Sequence, residues 1–311
     1  MRHWTGIVGG LTAALLLAAV LLLAGCGETD KSVVPPPGNP FEAARVGADT
    51  TLEVMTWNIE NFPKAGGATV NWVDQIIVGL RPDIVAVEEI SNGTSFDALV
   101  AQIDGWGGAR ARSDAYQNLG FLYSEGGALQ VTSTYEIMTS YSREFPRAPF
   151  VLEATWNGVP IAVVANHLKA SGNGLLDAAD PWDEETRRRD ACLLLAEFVE
   201  TQLPDHRVFI VGDMNDELTD TAPHNVFQNF LDAPASWRFA DMAIALGPSE
   251  GWSYPGWPSH LDHILVTSEL FPAIDAAGSL TAVVPLAAVL GWSKYDSEVS
   301  DHLPVVVRLI P

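Results

Sequence analysis

The sequence predicts a layered α/β fold in which β-sheets pack together and helices cover their outer faces. Two observations lead to this prediction. Apolar runs of strand length, bounded by turn-forming residues, occur together with amphipathic helical segments. Two of the helical segments fall early, between strands, and several consecutive strands with hairpin-like spacing follow them. Such a mixture buries its apolar sides by stacking in layers.

Eight strands are predicted from these apolar runs. In chain order they are Leu52 to Trp57, Ile84 to Val87, Gly120 to Tyr123, Phe150 to Trp156, Ile161 to Asn166, Val208 to Val211, Leu261 to Val266 and Pro304 to Leu309. The sequence Trp156-Asn157-Gly158-Val159 joins two of them, and Asn-Gly favours a two-residue turn. A β-hairpin is therefore expected there.

Three helices are predicted from apolar residues that recur with helical spacing. They run from about Asn71 to Leu80, Ser95 to Ile103 and Asp183 to Leu203. The third is expected to open with Asp180-Pro181 as its cap and first-turn pair.

The N-terminal sequence predicts a targeting segment. Arg2 and His3 precede an apolar run from Leu11 to Ala24, which is the pattern of a secretory signal peptide over residues 1–25. An uncleaved membrane anchor is the alternative, because about 20 apolar residues can span a bilayer. The run ends in Leu23-Ala24-Gly25-Cys26, which resembles a bacterial lipobox with Cys26 as the lipidated residue. The expected location is extracytoplasmic and lipid-anchored, at an outer membrane or cell surface if the organism has one.

Residues 26–50 are expected to form a flexible tether, because they contain Pro35-Pro36-Pro37-Gly38 and Pro40 and show no apolar periodicity. Residues 51–311 are then the catalytic domain. Cys192 is the other cysteine of the chain, so the fold is expected to stand without a disulfide and to bury this thiol.

The charge balance excludes a general DNA-coating role. Removal of residues 1–25 takes away Arg2 and leaves 16 basic against 39 acidic residues, a net charge of −23. Non-specific affinity for nucleic acid comes mainly from neutralising phosphates, so only a local basic groove is compatible with this charge. Its candidates, each of which could equally be a solvated surface charge, are Arg110, Arg112, Arg143, Arg147, Lys169, Arg187, Arg188 and Arg189.

Polar residues collect where the predicted strands end or begin. They are Asn58, Glu88, Glu89, Asn166, His167, Asp213, Asn215, Asp262, Asp301 and His302. Loops at strand ends can direct side chains from a rigid scaffold toward a common point. Carboxylate and amide oxygens suit Mg²⁺ or Mn²⁺, and histidines beside carboxylates can transfer protons. This set predicts metal-assisted hydrolysis of a phosphate ester.

The motifs that carry these residues come in a characteristic order. They are Thr56-Trp57-Asn58-Ile59, Asp83-Ile84-Val85-Ala86-Val87-Glu88-Glu89-Ile90, Asn166-His167-Leu168-Lys169, Gly212-Asp213-Met214-Asn215, Leu261-Asp262-His263-Ile264 and Ser300-Asp301-His302-Leu303-Pro304. The series resembles that of the endonuclease/exonuclease/phosphatase superfamily over about Leu52 to Leu309. The resemblance implies a deoxyribonuclease I-like, four-layered α/β sandwich of two packed mixed β-sheets flanked by helices.

The resemblance also implies roles for individual residues. Glu89 and Asp301 would hold the divalent metal, with Asn58 nearby. Asp213 would position or deprotonate the attacking water, with Asn215 assisting at the phosphate.

Two histidines complete the implied machinery. His302 would contact the scissile phosphate and be oriented by Asp262, and His167 would lie on the leaving-group side. Arg147 resembles an arginine before a proline that contacts nucleic-acid phosphate, and Lys169 could neutralise the same backbone.

The chain departs from the family pattern at three positions. Glu88 stands where Gln is usual, Ser91 stands where pancreatic deoxyribonuclease has a DNA-binding arginine, and Asn118 stands where a glutamate would pair with the histidine corresponding to His167. The departure at Asn118 leaves a His167–carboxylate pair and double-strand specificity open.

A pair of histidines and a group of aromatic residues near Asp262 each have an alternative interpretation. His260 and His263 are three residues apart on a predicted strand, where such residues face opposite sides, so zinc at this pair is not expected. Trp252, Tyr254 and Trp257 precede Asp262 and could stack bases of a single-stranded substrate, although loop packing is the favoured reading.

Three functional hypotheses follow. The first, and favoured, is a nuclease acting on extracellular nucleic acid. The second keeps the chemistry but takes a sphingomyelin-type phosphodiester or an inositol phosphate at the membrane surface, and it requires exposed apolar side chains between Leu280 and Trp292. The third is a non-catalytic surface binding protein, which would release no phosphate.

Overall fold

A computed structural model describes residues 38–113 and 116–310. The predicted signal peptide, Cys26 and most of the predicted tether lie outside these residues. Within them, no helix is both long and apolar enough to cross a membrane.

The described residues form two six-stranded mixed sheets. The first sheet has the order β11-β12-β1-β2-β4-β3, with β1 Leu52–Phe62, β2 Ile84–Ile90, β3 Trp106–Arg110, β4 Asn118–Ser124, β11 Leu280–Val283 and β12 Val305–Leu309. The second has the order β5-β6-β7-β8-β10-β9, with β5 Leu129–Glu136, β6 Phe150–Trp156, β7 Val159–His167, β8 Arg207–Asp213, β9 Trp237–Phe239 and β10 Asp262–Thr267. The two parallel pairs, β1 with β2 and β7 with β8, occupy the middle of the sheets.

Most helices lie on the outer faces, but the helix Phe271–Ile274 packs against the core between the sheets. The helices are α1 Gly67–Leu80, α2 Gly93–Gln102, α3 Glu184–Gln202, α4 Gln228–Leu231, α5 Met242–Ala245, α6 Phe271–Ile274, α7 Ala287–Leu290 and α8 Trp292–Glu298. Val73 and Ile77 of α1 pack against the outside of the first sheet, and Cys192 and Leu195 of α3 pack against the outside of the second. The order is helix, sheet, sheet, helix, which confirms the four-layered sandwich. Cys192 is buried, as predicted.

The core between the sheets follows the two-residue period of strands. In β1 the side chains of Leu52 and Val54 point into this core, whereas Met55 and Trp57 face the helices. Because both faces of the central strands are buried, they are apolar almost throughout, as expected for strands covered on both sides. The predicted hairpin joins β6 and β7, and its Asn157 and Gly158 have φ of 50° and 79°.

Four strands were not predicted, and each lacks the signal on which strand prediction depends. Gly107 and Gly108 leave β3 with few side chains, and β5 is largely polar and half-exposed along its length. The remaining two, β9 and β11, have only three and four residues.

Several predicted boundaries differ from the structure by a few residues, and two of the differences concern the start of α3 and the end of the tether. The cap of α3 is Asp183, whose carboxylate accepts from Thr186 N at 2.8 Å, so the Asp180-Pro181 pair is not the start of the helix. Phe41 and Val46 are buried in the core beneath α1, and residues 42–44 form a 3₁₀ turn. The last part of the predicted tether therefore packs against the domain.

Candidate active site

The alternation of side chains along the central strands brings polar groups to one end of the space between the sheets. On β8, Phe209 and Val211 face the inter-sheet core, so Asp213 at the end of the strand faces the same way. On β7, Ala165 is followed in the same manner by His167. Asn58 lies at the corresponding point of β1. β10 runs antiparallel to β8 and therefore contributes its first residue, which is paired with the last residue of β8.

A glycine permits the close approach of two strands at this end. Gly212 has φ of 143°, and a Cβ on it would lie 1.9 Å from the carbonyl oxygen of Asn166. Only glycine fits there, so Gly212 allows Asp213 to sit directly beside His167.

The Asp213 carboxylate is the centre of the cluster. Its Oδ2 accepts from Asn58 Nδ2 at 3.0 Å and lies 3.6 Å from His167 Nε2 and 3.8 Å from His302 Nε2. Its Oδ1 accepts from Asn215 N at 3.0 Å. Asp213 is 2 % exposed, so these groups and not bulk water determine its charge state. Burial and the nearby charges of Asp262 and Glu89 raise the pKa of Asp213 to about 6.

His302 and Asp262 form a buried pair. The distance from His302 Nδ1 to Asp262 Oδ2 is 2.8 Å, which fixes the ring and directs Nε2 toward Asp213. Although burial opposes the charged ring, Asp262 and Asp213 raise the pKa of His302 to about 10. His302 is therefore an imidazolium at neutral pH, with its Nε2–H available to a substrate.

The backbone around His302 is held firmly. Its carbonyl oxygen accepts from Tyr295 Oη at 2.6 Å and from Trp57 Nε1 at 3.3 Å. Ser300 Oγ accepts from His302 N at 3.0 Å and donates to Asn58 O at 2.6 Å. These bonds join the turn before β12 to β1, so the two motifs that are farthest apart in the sequence meet in one rigid corner.

Glu89 and Asp301 lie beside this cluster and are partly exposed. Glu89 accepts from Asn58 Nδ2 at 3.3 Å through one oxygen and from Asn61 N at 2.9 Å through the other. Asp301 Oδ1 is 3.9 Å from His302 Nε2. Asn58 Oδ1 accepts from Glu60 N at 2.9 Å, so the side chain of Asn58 connects Glu89 and Asp213 through its amide nitrogen.

The donor set fits a divalent cation. Burial and the adjacent Glu60 raise the pKa of Asp301 to about 6, as crowding does for Asp213. Hard carboxylate oxygens that repel one another at an accessible edge are what Mg²⁺ or Mn²⁺ stabilises. Asp213, Asp262 and His302 also lie close enough together to hold an ion. The 2.8 Å contact within the His302–Asp262 pair, however, uses two of those three donors.

His167 and Arg147 complete one side of the cluster. Burial and the charges of Arg147 and His302 hold the pKa of His167 well below its usual value, so the ring is neutral. Its Nδ1 has no hydrogen-bond partner within the described residues. Arg147 lies close enough to Glu89 and Asp213 for their charges to favour its ionised form, and it donates to Gln117 Oε1.

Two of the predicted phosphate-contacting residues lie differently. Asn215 has φ of 53° and its Nδ2 donates to Leu168 O at 3.3 Å, which links the loops after β7 and β8. Lys169 is directed to Glu184, with 3.7 Å between Nζ and Oε1. Of the residues predicted for substrate phosphate, the structure brings Arg147 to the cluster and pairs Lys169 with a carboxylate at the start of α3.

Glu88 lies in the wall between the sheets. It is fully buried, accepts from Thr56 Oγ1 at 3.0 Å, and has a pKa raised well above its usual value, chiefly by burial. A protonated Glu resembles the Gln usual at this position in shape, but it can donate one hydrogen bond where Gln can donate two, and Glu88 Oε2 has no partner within the described residues.

Sequence reasoning missed two residues that support the site. Glu60 accepts from Asp301 N at 2.9 Å, and Asn61 accepts from Gln117 Nε2 at 2.8 Å and from Tyr116 Oη at 3.2 Å. Both residues could have been found from the sequence, because they lie two and three residues after Asn58. Glu60, Asn61 and Glu89 all have positive φ, an uncommon conformation that recurs at functional sites.

A second buried cluster lies on the opposite face of β10. Asp241 Oδ2 is 2.7 Å from His263 Nδ1 and 3.0 Å from His260 Nε2, and Asp241 Oδ1 accepts from Ile264 N at 2.9 Å. The expectation that a strand separates the two histidines is wrong, because β10 begins at Asp262 and His260 precedes it.

Comparison with known proteins agrees with this geometry. Residues 55–302 match the model of the Endonuclease/Exonuclease/phosphatase family. No curated protein sequence matches the chain significantly.

Several solved structures share the fold. D. rerio TDP2 complexed with a single-strand DNA product has 15 % identity and a TM-score of 0.60, covering 84 % of this chain and 99 % of that one. The human Nocturnin catalytic domain with bound sulfate has 16 % identity and a TM-score of 0.60, covering 85 % and 96 %. The 3′ phosphatase NExo from Neisseria, bound to a product DNA hairpin, has 17 % identity and a TM-score of 0.57, covering 82 % and 98 %. The chain belongs to the endonuclease/exonuclease/phosphatase family and is a metal-dependent hydrolase of phosphoric ester bonds.

Proposed function

We propose that this chain is a nuclease that hydrolyses phosphodiester bonds of extracellular nucleic acid and is held at a membrane by a lipid on Cys26. The observation that carries the proposal is the cluster around Asp213, in which His167 and His302 lie 3.6 and 3.8 Å from the same carboxylate oxygen and Arg147 lies on the Glu89 side. This arrangement meets the needs of a phosphodiester, which has one negative charge to neutralise and one oxygen to expel.

Glu89 and Asp301 would hold the divalent ion, with Asn58 fixing the orientation of Glu89. Mg²⁺ or Mn²⁺ bound there would neutralise charge on the phosphate as the transition state forms. The physiological ion is part of the proposal.

Asp213 would act as the base. Its pKa of about 6 leaves it ionised at neutral pH yet basic enough to accept a proton from water. The water oxygen forms a bond to phosphorus, its proton passes to Asp213, and the bond from phosphorus to the leaving oxygen breaks. Asn58 Nδ2 and Asn215 N hold the carboxylate in position for this transfer.

His302 and His167 would serve the phosphate and the leaving oxygen. His302, kept protonated by Asp262, donates its Nε2–H to a non-bridging oxygen and stabilises the charge that develops there. We assign His167 to the leaving oxygen, to which its neutral ring donates a hydrogen bond, and the departing alkoxide takes its proton from water. Arg147 would bind the same phosphate, and Lys169 remains a more distant candidate because it is paired with Glu184.

Nucleic acid is the favoured substrate because Arg147 faces the cluster and because two structures of the same fold, TDP2 and NExo, were solved with DNA products. The extracytoplasmic, lipid-anchored location rests on the sequence Leu23-Ala24-Gly25-Cys26.

A phosphodiester lipid or an inositol phosphate is the second candidate. Val284 and Leu286 of the apolar segment are buried, but Leu280, Val289 and Trp292 are 36–42 % exposed. Exposed apolar side chains of this kind could contact a membrane surface.

The test is hydrolysis by the purified protein of plasmid DNA, RNA, sphingomyelin vesicles and bis-p-nitrophenyl phosphate with Mg²⁺ or Mn²⁺, beside EDTA and a His302→Gln control. Metal-dependent cleavage of nucleic acid that the variant lacks supports the nuclease. Cleavage of the lipid with intact nucleic acid overturns the substrate. No hydrolysis of any phosphodiester would leave the surface binding protein as the remaining hypothesis.

A further inference from the structure

The cations that the sequence offered for a basic groove are mostly neutralised. Five of the eight candidates make ion pairs with carboxylates. These pairs are Arg110–Asp97 at 2.9 Å, Arg143–Asp190 at 2.6 Å, Arg188–Asp216 at 2.8 Å, Arg189–Asp190 at 2.6 Å and Lys169–Glu184 at 3.7 Å. Arg188 is also buried, at 3 % exposure of its side chain.

Arg147 differs from these cations because it faces the cluster. Its guanidinium donates to Gln117 Oε1, Gln117 Nε2 donates to Asn61 Oδ1 at 2.8 Å, and Asn61 N donates to Glu89 Oε2 at 2.9 Å. Arg147 therefore lies on the Glu89 side of the cluster. Burial lowers its pKa, and the charges of Glu89 and Asp213 act in the opposite sense. One arginine can neutralise one phosphate. Across residues 38–113 and 116–310, the eight candidates do not form the continuous row of free cations that a duplex would contact.

The other flank of the cluster is aromatic. Tyr254 and Ser259 are joined by two backbone hydrogen bonds of 3.0 and 3.2 Å, which close a short loop. The ring of Tyr254 lies 4.6 Å from that of His302, with 34° between their planes. The base of this loop therefore touches the imidazolium that we assign to the phosphate.

Trp257 is at the tip of the same loop and is 77 % exposed. It lies three residues from Tyr254, so the two Cα atoms are at most about 11 Å apart. Pro255 and Pro258 fix φ on either side of Gly256 and Trp257, so the tip has fewer backbone conformations to lose on binding than a loop without these prolines. Trp252, in contrast, packs inward and donates to Ile244 O at 3.1 Å.

The flanks differ in their cations as well as in shape. Burial raises the pKa of Tyr254, and the charges of Asp301, Glu60, Asp213 and Asp296 raise it further, so these carboxylates lie near the ring. Lys64 contacts Glu60 and lies 3.7 Å from Asp296 Oδ1, and Asp301 is assigned to the metal. Lys64 is therefore engaged by two carboxylates and not available to a second phosphate, whereas an uncharged planar ring needs no cation. A base stacked on Tyr254 and Trp257 fits this flank best when it is unpaired, because a partner strand would bring phosphates that Lys64 is not free to bind.

We propose that the substrate is a short or single-stranded nucleic acid, bound with one phosphate at Arg147 and His302 and one unpaired base on Tyr254 and Trp257. This inference rests on the proposed nuclease function and names its substrate class.

The first experiment compares a dinucleotide, a 20-nucleotide single strand and the same strand in a duplex, with Mn²⁺ and increasing NaCl. We expect kcat/KM to be at least tenfold higher for the single strand than for the duplex, and the dinucleotide to be hydrolysed. The slope of log kcat/KM against log salt should be about −1.4 or shallower, as for one or two phosphates at about −0.7 each. Preference for the duplex with a slope of about −4 or steeper would overturn the inference.

The second experiment uses Trp257→Ala, Trp257→Phe and a matched control, Trp182→Ala, which removes another exposed tryptophan, 65 % exposed and next to α3. On the single strand, Trp257→Ala should raise KM about tenfold with kcat within threefold, as expected for loss of one stacked base. Trp257→Phe should restore most of the affinity, and Trp182→Ala should behave as wild type. An unchanged KM in Trp257→Ala would overturn the inference.

Hydrolysis of bis-p-nitrophenyl phosphate separates this inference from the proposed function. If wild type cleaves it with metal and His302→Gln does not, the phosphodiesterase site stands whatever the strand preference. If only sphingomyelin vesicles are hydrolysed among the natural substrates, the nucleic-acid class is overturned together with the stacking role.

Discussion

Two buried aspartates on neighbouring parts of the second sheet have opposite electrostatic environments. Asp241 accepts hydrogen bonds from two imidazoles and a backbone amide, and its pKa is lowered although burial alone would raise it. Asp213 accepts from Asn58 and Asn215 but lies near Asp262 and Glu89, and its pKa is raised to about 6. Both are at most 2 % exposed, so burial does not explain the difference.

The comparison separates a carboxylate that stabilises the fold from one that is poised for chemistry. His263 uses both ring nitrogens, one on Asp241 and the other on Asp216 O at 2.9 Å, so this ring is fully paired, whereas His260 Nδ1 has no hydrogen-bond partner within the described residues. The Nε2 of His302 has no equally short partner, since it lies 3.8 Å from Asp213. The crowded carboxylates around Asp213 thus lower the stability of the fold until a metal and a substrate bind there, as is common at active sites.

Asp213→Asn tests this difference most strongly. We expect kcat for a metal-dependent phosphodiester substrate to fall about 1,000-fold, within the range for removing a general base. In EDTA at pH 7 the same variant should be more stable than wild type by about 1–2 kcal/mol, because it removes a carboxylate whose pKa is raised. Because the pKa of Asp213 is higher in the folded than in the unfolded protein, its protonated form adds to the stability of wild type below about pH 4, and this contribution is lost as pH rises through about 6. The stability advantage of Asp213→Asn should therefore shrink toward pH 4. Urea unfolding at pH 4 and 7 measures it. Destabilisation at pH 7 would contradict the comparison.

Asp241→Asn is the matched variant, and we expect it to lower stability while leaving activity nearly unchanged. Breaking a buried ion pair should lower the free energy of unfolding by about 3 kcal/mol, while kcat of the folded protein stays within about threefold. The lowered pKa of Asp241 gives stability above about pH 4, and the raised pKa of His263 gives stability below about pH 6.5. The loss should therefore be greatest between these values. A variant that unfolds like wild type at pH 5.5 would refute the structural role.

Asp262→Asn tests the difference between His302, which is paired with Asp262, and His263, which is paired with Asp241. Asp262 raises the pKa of His302 to about 10, so its removal should lower that pKa and move the alkaline limb of the pH–rate profile to lower pH. We expect activity at pH 7 to fall about 10- to 100-fold, as for other partners that orient a functional group. Asp241→Asn, which does not touch His302, serves as the control and should leave the limb in place.

The affinity of the proposed site at Glu89 and Asp301 for a divalent metal should depend on pH. Because the pKa of Asp301 is raised to about 6, Mn²⁺ must displace a proton below that value, and its Kd should increase up to about tenfold per pH unit. Calorimetric titration at pH 5 and 7 measures the effect. An equal Kd at both would show that Asp301 does not bind the ion.

The sequence predicted the Asp213 site better than the Asp241 cluster for a physical reason. The ends of parallel strands such as β1 with β2 and β7 with β8 meet at one edge of a sheet, so the positions of Asn58, His167 and Asp213 indicated a site, and the family resemblance gave these residues their roles. Asp241 follows the three-residue β9, and its contact with His263 spans 22 residues.

Side-chain pairing set a second limit on prediction. The basic residues were visible in the sequence, but their neutralisation depends on tertiary contacts, such as Arg188 with Asp216. The layers of the fold followed from periodicity, whereas the edge strands β5 and β11 did not, because one is polar and the other is very short.

The central claim is that phosphodiester hydrolysis depends on metal and on the cluster around Asp213. The most direct measurement is the rate of bis-p-nitrophenyl phosphate hydrolysis by wild type, Asp213→Asn and Asp241→Asn, each with Mn²⁺ and with EDTA. We predict activity with Mn²⁺ in wild type and Asp241→Asn, about 1,000-fold less in Asp213→Asn, and none in EDTA. Equal rates in wild type and folded Asp213→Asn, or full activity in EDTA, would contradict the account.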